Sequence, residues 1–240
     1  MAEEYLINAR AFAEALREQR AMKLKGGLYH LNQIQMAYNT NRIEGSRLTE
    51  AQTRYIYETR TVLGDALVDD VIEMANHFRI FDAMLDRVGE PLTAEVLKDY
   101  HSVLKTGTAD AEKSWFAGGD WKRVENEVGG RRTTSPANVA RAMDDLLAAT
   151  PSEMAFEDIC DFHHRFESIH PFQDGNGRVG RLIMFGQCLA NGIMPFIVTD
   201  EEKAFYYRGL AEYDETPGYL QDTFRHFQDL YYERYRPFLP

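Results

Sequence analysis

A chain of 240 residues, 44% of them hydrophobic and 27% charged, is long enough to bury a sizeable core and too apolar to be disordered or fibrous. The 38 acidic against 27 basic side chains leave a net charge of −11, which excludes a sequence-independent nucleic-acid binder; small basic pockets inside an acidic shell stay open. The most apolar run, 182–198, is broken by Gln187, Asn191, Gly192 and Pro195 and is no membrane span. The opening residues, MAEEYLINAR, lack the basic-then-apolar pattern of a secretory signal, so a soluble, cytoplasmic protein without a membrane partner is expected. Cys160 and Cys188 sit in apolar helical patterns without metal-ligand spacing and read as reduced core thiols.

Helical periodicity dominates the chain. Residues 2–22 carry Leu6, Ala9, Phe12, Ala13 and Leu16 at spacings of three and four, an amphipathic helix. A second helix is expected over 31–44, stopped at Gly45 in the left-handed conformation. Thr49 with Gln52 is a capping box for a third; 68–88 reads as a long fourth, and Pro91 with Thr93 introduces a fifth. The stretch 121–134, WKRVENEVGGRRTT, breaks the pattern. Its Gly129-Gly130 pair between short extended runs, with Val124 and Val128 on one side of the turn, predicts a β-hairpin. Ser135-Pro136 opens a helix over 136–149, and Ser152 is expected to cap the one carrying Phe156, Ile159, Phe162, Phe166 and Ile169. Asn191-Gly192 reads as a helix stop, and Thr216-Pro217 opens the last helix, with Leu220, Phe224, Phe227 and Tyr231 on one face. No repeat or linker interrupts this order, so the fold class is all-α with one hairpin.

Chemistry concentrates at a junction between two of these helices, 169–181, IHPFQDGNGRVGR. Gly175, Asn176 and Gly177 offer successive backbone N–H groups, and the positive end of the next helix completes an anion cradle. Arg178 and Arg181, three apart on that helix, suit one phosphate-bearing ligand. Asp174 is an oxygen ligand for a hard cation such as Mg2+. His170, ahead of Pro171, has the ordinary pKa of a general base near neutrality. Together they point to phosphoryl or nucleotidyl transfer. The glycines also match G-x-G-x-x-G, with Asp200 near the place of a ribose-binding acid, but no strand or βαβ unit surrounds them. The Walker pattern is absent, and His163, His164 and His170 lack zinc-ligand spacing. A plain helix cap with a tight turn accounts for one glycine and not for the set.

Other residues invite blander readings. His163 and His164 read as helix residues, one packed and one half exposed, and Phe172 as the loop's core anchor. Tyr100, Trp115, Phe116 and Trp121 read as packing around the hairpin rather than an adenine platform. Asp69, Asp70, Asp144 and Asp145 read as solvated acids.

His170-Pro171-Phe172-Gln173-Asp174-Gly175-Asn176-Gly177-Arg178-Val179-Gly180-Arg181 resembles the Fic family signature, H-P-F-x-[D/E]-G-N-G-R-x-x-R, at every defining position. The helices and hairpin extend the resemblance, more loosely, over about 65–235. It implies a Fic-type helical domain with the hairpin as a flap over the active site, and transfer of AMP from ATP to a Ser, Thr or Tyr hydroxyl of a target protein. His170 would be the base and Asp174 the Mg2+ ligand; Asn176 and Gly177 would line the anion hole, with Gly175 also at the phosphates. Arg178 would hold phosphate and Arg181 the γ-phosphate. The flap, about 124–134 with Val124, Val128, Gly129, Gly130, Arg131 and Thr133, would pair with the target as an added strand.

Thr40-Asn41-Arg42-Ile43-Glu44-Gly45 stands apart. A glutamate at a helix C-terminus meets the negative end of the dipole and loses about 0.3–1 kcal/mol, so local helix physics gives Glu44 no reason to be there beyond a solvated surface position. The six residues resemble the Fic inhibitory motif, [S/T]-x-x-x-E-[G/N], in which the glutamate pairs with the second signature arginine, here Arg181. Thr40, one turn earlier, is expected to fix Glu44. The chain thus resembles the class with an N-terminal inhibitory helix, here about 31–45. Its organisation is expected to be 1–64 for the N-terminal helices and 65–240 for the Fic core, packed as one unit. Removal of AMP by the same residues, transfer of another phosphate-containing group, and a catalytically silent binding module are the alternatives. ATP, a target protein and a second copy of the chain are the implied partners, without direct nucleic-acid binding.

Overall fold

The computed structural model describes residues 9–238. Helix α1 (Ala9–Met22) buries Phe12 and Leu16 completely; the expected helical start at residue 2 lies outside the described residues. Helix α2 (Leu28–Ile43) begins at Leu28 rather than 31 and is buried on nearly every side, its polar residues included. Asn32, Asn39 and Asn41 satisfy themselves by donating to carbonyls four residues back, and Gln33 donates to the Phe78 carbonyl and to Asp82. A polar helix inside a core is held in place by such partners and not by an apolar stripe.

The capping box forms as expected at α3 (Glu50–Thr59): Gln52 N–H donates to Thr49 Oγ1 at 3.2 Å, and Thr49 N–H to Gln52 Oε1 at 3.0 Å. Helix α4 (Val68–Asp86) follows, then α5 (Ala94–Lys105), whose cap is Thr93. Asp69 and Asp70, expected to be simply solvated, accept the N–H groups of Ala109 and Arg47 and so pin two loops. The hairpin pairs β1 (Glu127–Val128) with β2 (Arg131–Arg132), Glu127 opposite Arg132 and Val128 opposite Arg131. Gly129 and Gly130, at φ 57° and 77°, take the two left-handed positions that a two-residue turn needs.

Helix α6 (Pro136–Ala149) starts at its proline. Helix α7 (Phe156–Ile169) starts later than Ser152 would have it. Ala155 N–H donates to Asp158 Oδ2 and Met154 N–H to Asn191 Oδ1, which holds that approach off the helix. Helix α8 (Asn176–Ala190) stops before Asn191-Gly192 as expected. The sequence reading missed α9 (Lys203–Ala211), which packs closely on α10 (Gly218–Tyr235): a Cβ on Gly209 would lie 2.8 Å from Leu220 Cα. Thr216 opens α10 through its carbonyl, which accepts from Tyr219 N–H, and not through its side chain.

Helix α8 lies at the centre, buried from Asn176 to Leu189 save for Gly186, with α1, α2, α4, α5 and α7 packed on it. One hydrophobic cluster runs from Phe12 to Tyr235 and crosses residue 64 without a break. Tyr231 O–H donates to Asn32 Oδ1 at 2.7 Å, and Arg17 donates to the Leu85 carbonyl at 2.6 Å, tying the first helices to the rest. Cys160 and Cys188 are free and buried, and burial pushes both thiols up. Among the described residues no helix is long and apolar enough to cross a membrane.

Candidate active site

The 170–175 loop is built by local rules first. His170 ends α7 in the left-handed region (φ 51°), its N–H donating to the Phe166 carbonyl at 3.0 Å, and Pro171 prevents the helix from resuming. Phe172 is fully buried as expected, stacked on His101 with ring centroids 4.0 Å apart and against Trp121 at 5.2 Å. Asn176 closes the loop: its Oδ1 accepts Phe172 N–H at 2.8 Å and its Nδ2 donates to the Phe172 carbonyl at 2.9 Å. Its side chain is therefore structural, and only its backbone N–H, with that of Gly177, belongs to the open first turn of α8. Gly119 N–H donates to His101 Nδ1, so Nε2 of that ring carries the hydrogen and donates to the Asp174 carbonyl at 3.1 Å. Burial lowers His101 to about 4 and keeps it neutral in this bridge.

Charge is organised around the first turn of α8. Asp174 Oδ2 accepts from Lys105 Nζ at 2.7 Å and from Arg178 Nη2 at 2.8 Å. Glu73 of α4 gives one oxygen to Lys105 and the other to Arg178. Burial by itself would raise the Asp174 carboxyl, but Arg178 and Lys105 hold it well below the usual carboxylate range. Neither Glu73 nor Lys105 was singled out from sequence. Their signal is a lysine one turn after His101 on the apolar face of α5, where burial demands an acid. Asp174 spends only Oδ2 on this network. Among the described residues no group of three or more His, Cys, Asp or Glu side chains could hold a metal. A cation here would have Asp174 as its protein carboxylate and take its other ligands from phosphates and water, which is how Mg2+ is held in phosphate-handling sites. The residues fit that ion.

Arg181 is fully buried and differently held. Its Nε donates to Thr40 Oγ1 at 2.7 Å, and its Nη2 to the Thr40 carbonyl at 3.2 Å and to Glu44 Oε1 at 2.6 Å. Thr40 thus holds the arginine, where the sequence reading had it fix the glutamate. Glu44 forms the C-terminal cap of α2, and Gly45 follows at φ 96°. A Cβ on Gly177 would lie 2.2 Å from Glu44 Oε1 and 2.8 Å from Arg181 Nη1. The carboxylate therefore rests on the first turn of α8, whose positive end and Arg181 offset the unfavourable end of α2. Burial by itself would lower Arg181, but Glu44 outweighs it and the guanidinium is raised. The Tyr206 ring lies 5.8 Å from Arg181, and its hydroxyl is 2.9 Å from His163 Nε2. His163 and His164 are both buried, so neither is half exposed; His164 stacks on Tyr213 at 4.4 Å.

His170 completes the site. Its Nδ1 is buried on the side of the Glu167 backbone, which favours the charged ring, so Nε2 is the nitrogen left to meet a substrate. Burial, then the nearby Lys122 charge, lowers the imidazole to about 4, with Glu44 and Asp174 opposing. It is neutral at neutral pH, the form that accepts a proton. The hairpin lies beside it: Lys122 N–H donates to the Pro171 carbonyl at 2.8 Å, Val124 N–H to Gln173 Oε1 at 3.2 Å, and Arg131 to the Ala211 carbonyl at 2.9 Å. Val124 and Val128 are 45% and 47% exposed, available at the hairpin surface. Thr133 is not: its hydroxyl is turned inward to Asn126 and Lys122. Of the aromatic residues, Tyr100 and Phe116 are buried, and Trp115 is exposed with Lys113 over its ring.

Residues 91–187 match the model of the Fic/DOC family. The chain is 30% identical over 185 residues to the protein adenylyltransferase Fic of Drosophila ananassae, and 28% identical over 183 residues to that of Aedes aegypti. These matches cover 74% and 72% of this chain but 36% of each relative, so the chain spans about a third of the length of the curated relatives it matches. Its fold is shared with a Fic domain containing signaling protein from Bacteroides thetaiotaomicron (TM-score 0.73, 21% identity, 90% of this chain and 91% of that one). Fic-1 from C. elegans shares it as well (TM-score 0.71, 21% identity, 95% and 72%).

Proposed function

We propose that this chain, which carries a domain of the Fic/DOC family, is a protein adenylyltransferase that moves AMP from ATP to a hydroxyl side chain of a target protein, and that Glu44 restrains it. The observation that carries the reading is the His170 imidazole at the loop before a helix N-terminus that is flanked by two buried guanidinium groups. His170 Nε2 takes the proton of the incoming Ser, Thr or Tyr hydroxyl. The hydroxyl oxygen attacks the α-phosphorus, the bond to the β-phosphate oxygen breaks, and pyrophosphate leaves. The N–H groups of Asn176 and Gly177 and the side chain of Arg178 hold phosphate oxygens, and Arg181 holds the terminal phosphate once Glu44 withdraws. Asp174 would hold Mg2+, which supplies charge neutralisation to the phosphates when bound. With Glu44 on Arg181 and over Gly177, the place for the terminal phosphate is taken. A cytoplasmic setting, which suits the two free thiols, and homodimerisation belong to the same reading.

Intact-mass measurement after incubation with Mg-ATP and candidate targets tests this. Glu44→Gly should gain mass equal to AMP on itself or on a target, faster than the unaltered protein. His170→Ala in that background should lose about 10²–10⁴ of the rate. A gain equal to phosphate would sink the AMP assignment, and no gain in either protein would favour a silent binding module. If Glu44→Gly turns over ATP no faster than the unaltered chain, the restraint is wrong.

A further inference from the structure

Outside the signature, one buried cation has no ion pair among the described residues. Lys122, between α5 and the hairpin, is 2% exposed, and Glu125 acts on it only from a distance. Its ammonium donates to three uncharged oxygens: Asn126 Oδ1 at 2.8 Å, Thr133 Oγ1, and the Ile169 carbonyl at 3.4 Å. Asn126 precedes β1 and Thr133 follows β2, so two of these bonds reach the two arms of the hairpin. Ile169 precedes His170. The Lys122 backbone N–H reaches the residue on the other side, donating to the Pro171 carbonyl. One residue therefore ties both arms of the hairpin to the backbone on both sides of His170.

A neutral side chain would make part of this clamp without the cost of burying an unpaired charge. The charge has a use of its own. The charges that act on His170 are Lys122 from the hairpin lead-in, Glu44 from α2 and Asp174 from the loop, and the Glu167 backbone of α7 also favours the charged ring. The two acids favour the imidazolium, and the phosphates of a bound nucleotide add to that bias; Lys122 opposes it.

We propose that Lys122 is a positioning residue of this site: it clamps the hairpin to the His170 backbone and sets a positive charge beside that imidazole. The proposal rests on the nucleotidyl-transfer reading for its kinetic consequences and on geometry alone for its mechanical one. The Glu44→Gly protein is the parent for the test, with Lys122→Met, Lys122→Gln and Lys122→Arg built into it. Amide hydrogen exchange over 124–133, which needs no activity, should speed up at least about tenfold in Lys122→Met, with α8 unchanged. The acid limb of the kcat/KM profile should move to higher pH by roughly half a unit or more in both Lys122→Met and Lys122→Gln, and return in Lys122→Arg. KM for the target should rise while ATP binding, measured by calorimetry, stays within about twofold. Should Lys122→Met not fold, Lys122→Gln carries the charge test and Lys122→Arg the control. Unchanged exchange over 124–133 overturns the clamp, and an unmoved acid limb in Lys122→Gln overturns the role of the charge. If the Glu44→Gly parent transfers no AMP, the transfer reading has failed, and the exchange measurement still decides the clamp.

Discussion

Arg178 and Arg181 lie one turn apart on the same helix, equally buried, and are held in opposite ways. Arg178 sits in a closed network with Asp174, Glu73 and Lys105, drawn from α4, α5 and the loop, in which each acid and each cation has at least two partners. Among the described residues Arg181 has a single carboxylate in ion-pair contact, delivered from the C-terminal end of α2 on a side chain that is 27% exposed, and one threonine. The first arrangement is scaffold, which fixes the Arg178 guanidinium where a phosphate would meet it. The second is a seat whose occupant can be exchanged, because one carboxylate leaving α8 breaks one ion pair and no network.

Three measurements press on that contrast, the largest effect first. Glu73→Ala takes one carboxylate from each of Lys105 and Arg178 in the interior and should cost about 3–5 kcal/mol in chemical denaturation, the usual penalty for breaking a buried pair. Glu44→Gly should cost less, about 1–3 kcal/mol, since its carboxylate is partly solvated, and ATP should recover the loss. Equal costs for the two would erase the distinction between scaffold and seat. Thr40→Val, which removes the acceptor for Arg181 Nε but keeps the Thr40 carbonyl contact, should cost about 1.5 kcal/mol, the low end for a hydrogen bond to a charged group, and speed AMP transfer by loosening the Arg181 fork on which Glu44 rests. A Thr40→Val protein as slow as the parent would show that Glu44 alone restrains the site.

The pH dependence of stability follows from the same network. Asp174 is held below its unfolded range of about 3.9, so its contribution is present above that pH and is lost as pH falls through the lower folded value. Melting temperature should therefore drop below about pH 4, and Asp174→Asn should flatten that drop. A variant that keeps the full acid sensitivity would place its origin elsewhere.

What sequence could read here was local. The helix–loop–helix junction at 169–181, the Gly129-Gly130 turn and the Thr49–Gln52 box each depend on neighbours within a few residues, and each takes the local structure its sequence predicts. Glu44 and Arg181 are 137 positions apart, and it was the short motif rather than any periodicity that joined them. Glu73, Lys105, His101 and Lys122 escaped because their meaning is tertiary: a lysine on α5 signals nothing until an acid from α4 and another from the loop close on it. Helix α9 escaped for a different reason. It buries only Tyr206 and Gly209, too few apolar positions for a period to show. The late start of α7 turned on Asn191, a distant side chain that captures Met154 N–H.

The space above Gly177 has a consequence of another kind. A single added carbon there would stand 2.2 Å from the Glu44 carboxylate, so this corner has no volume to spare for a second guest. Two anions competing only for charge can share a guanidinium, and their contest fades as salt is added. Two anions competing for one hard-walled space cannot share it at any ionic strength. Exchange at Arg181 is in this sense volumetric: an anion either evicts Glu44 from the first turn of α8 or stays out.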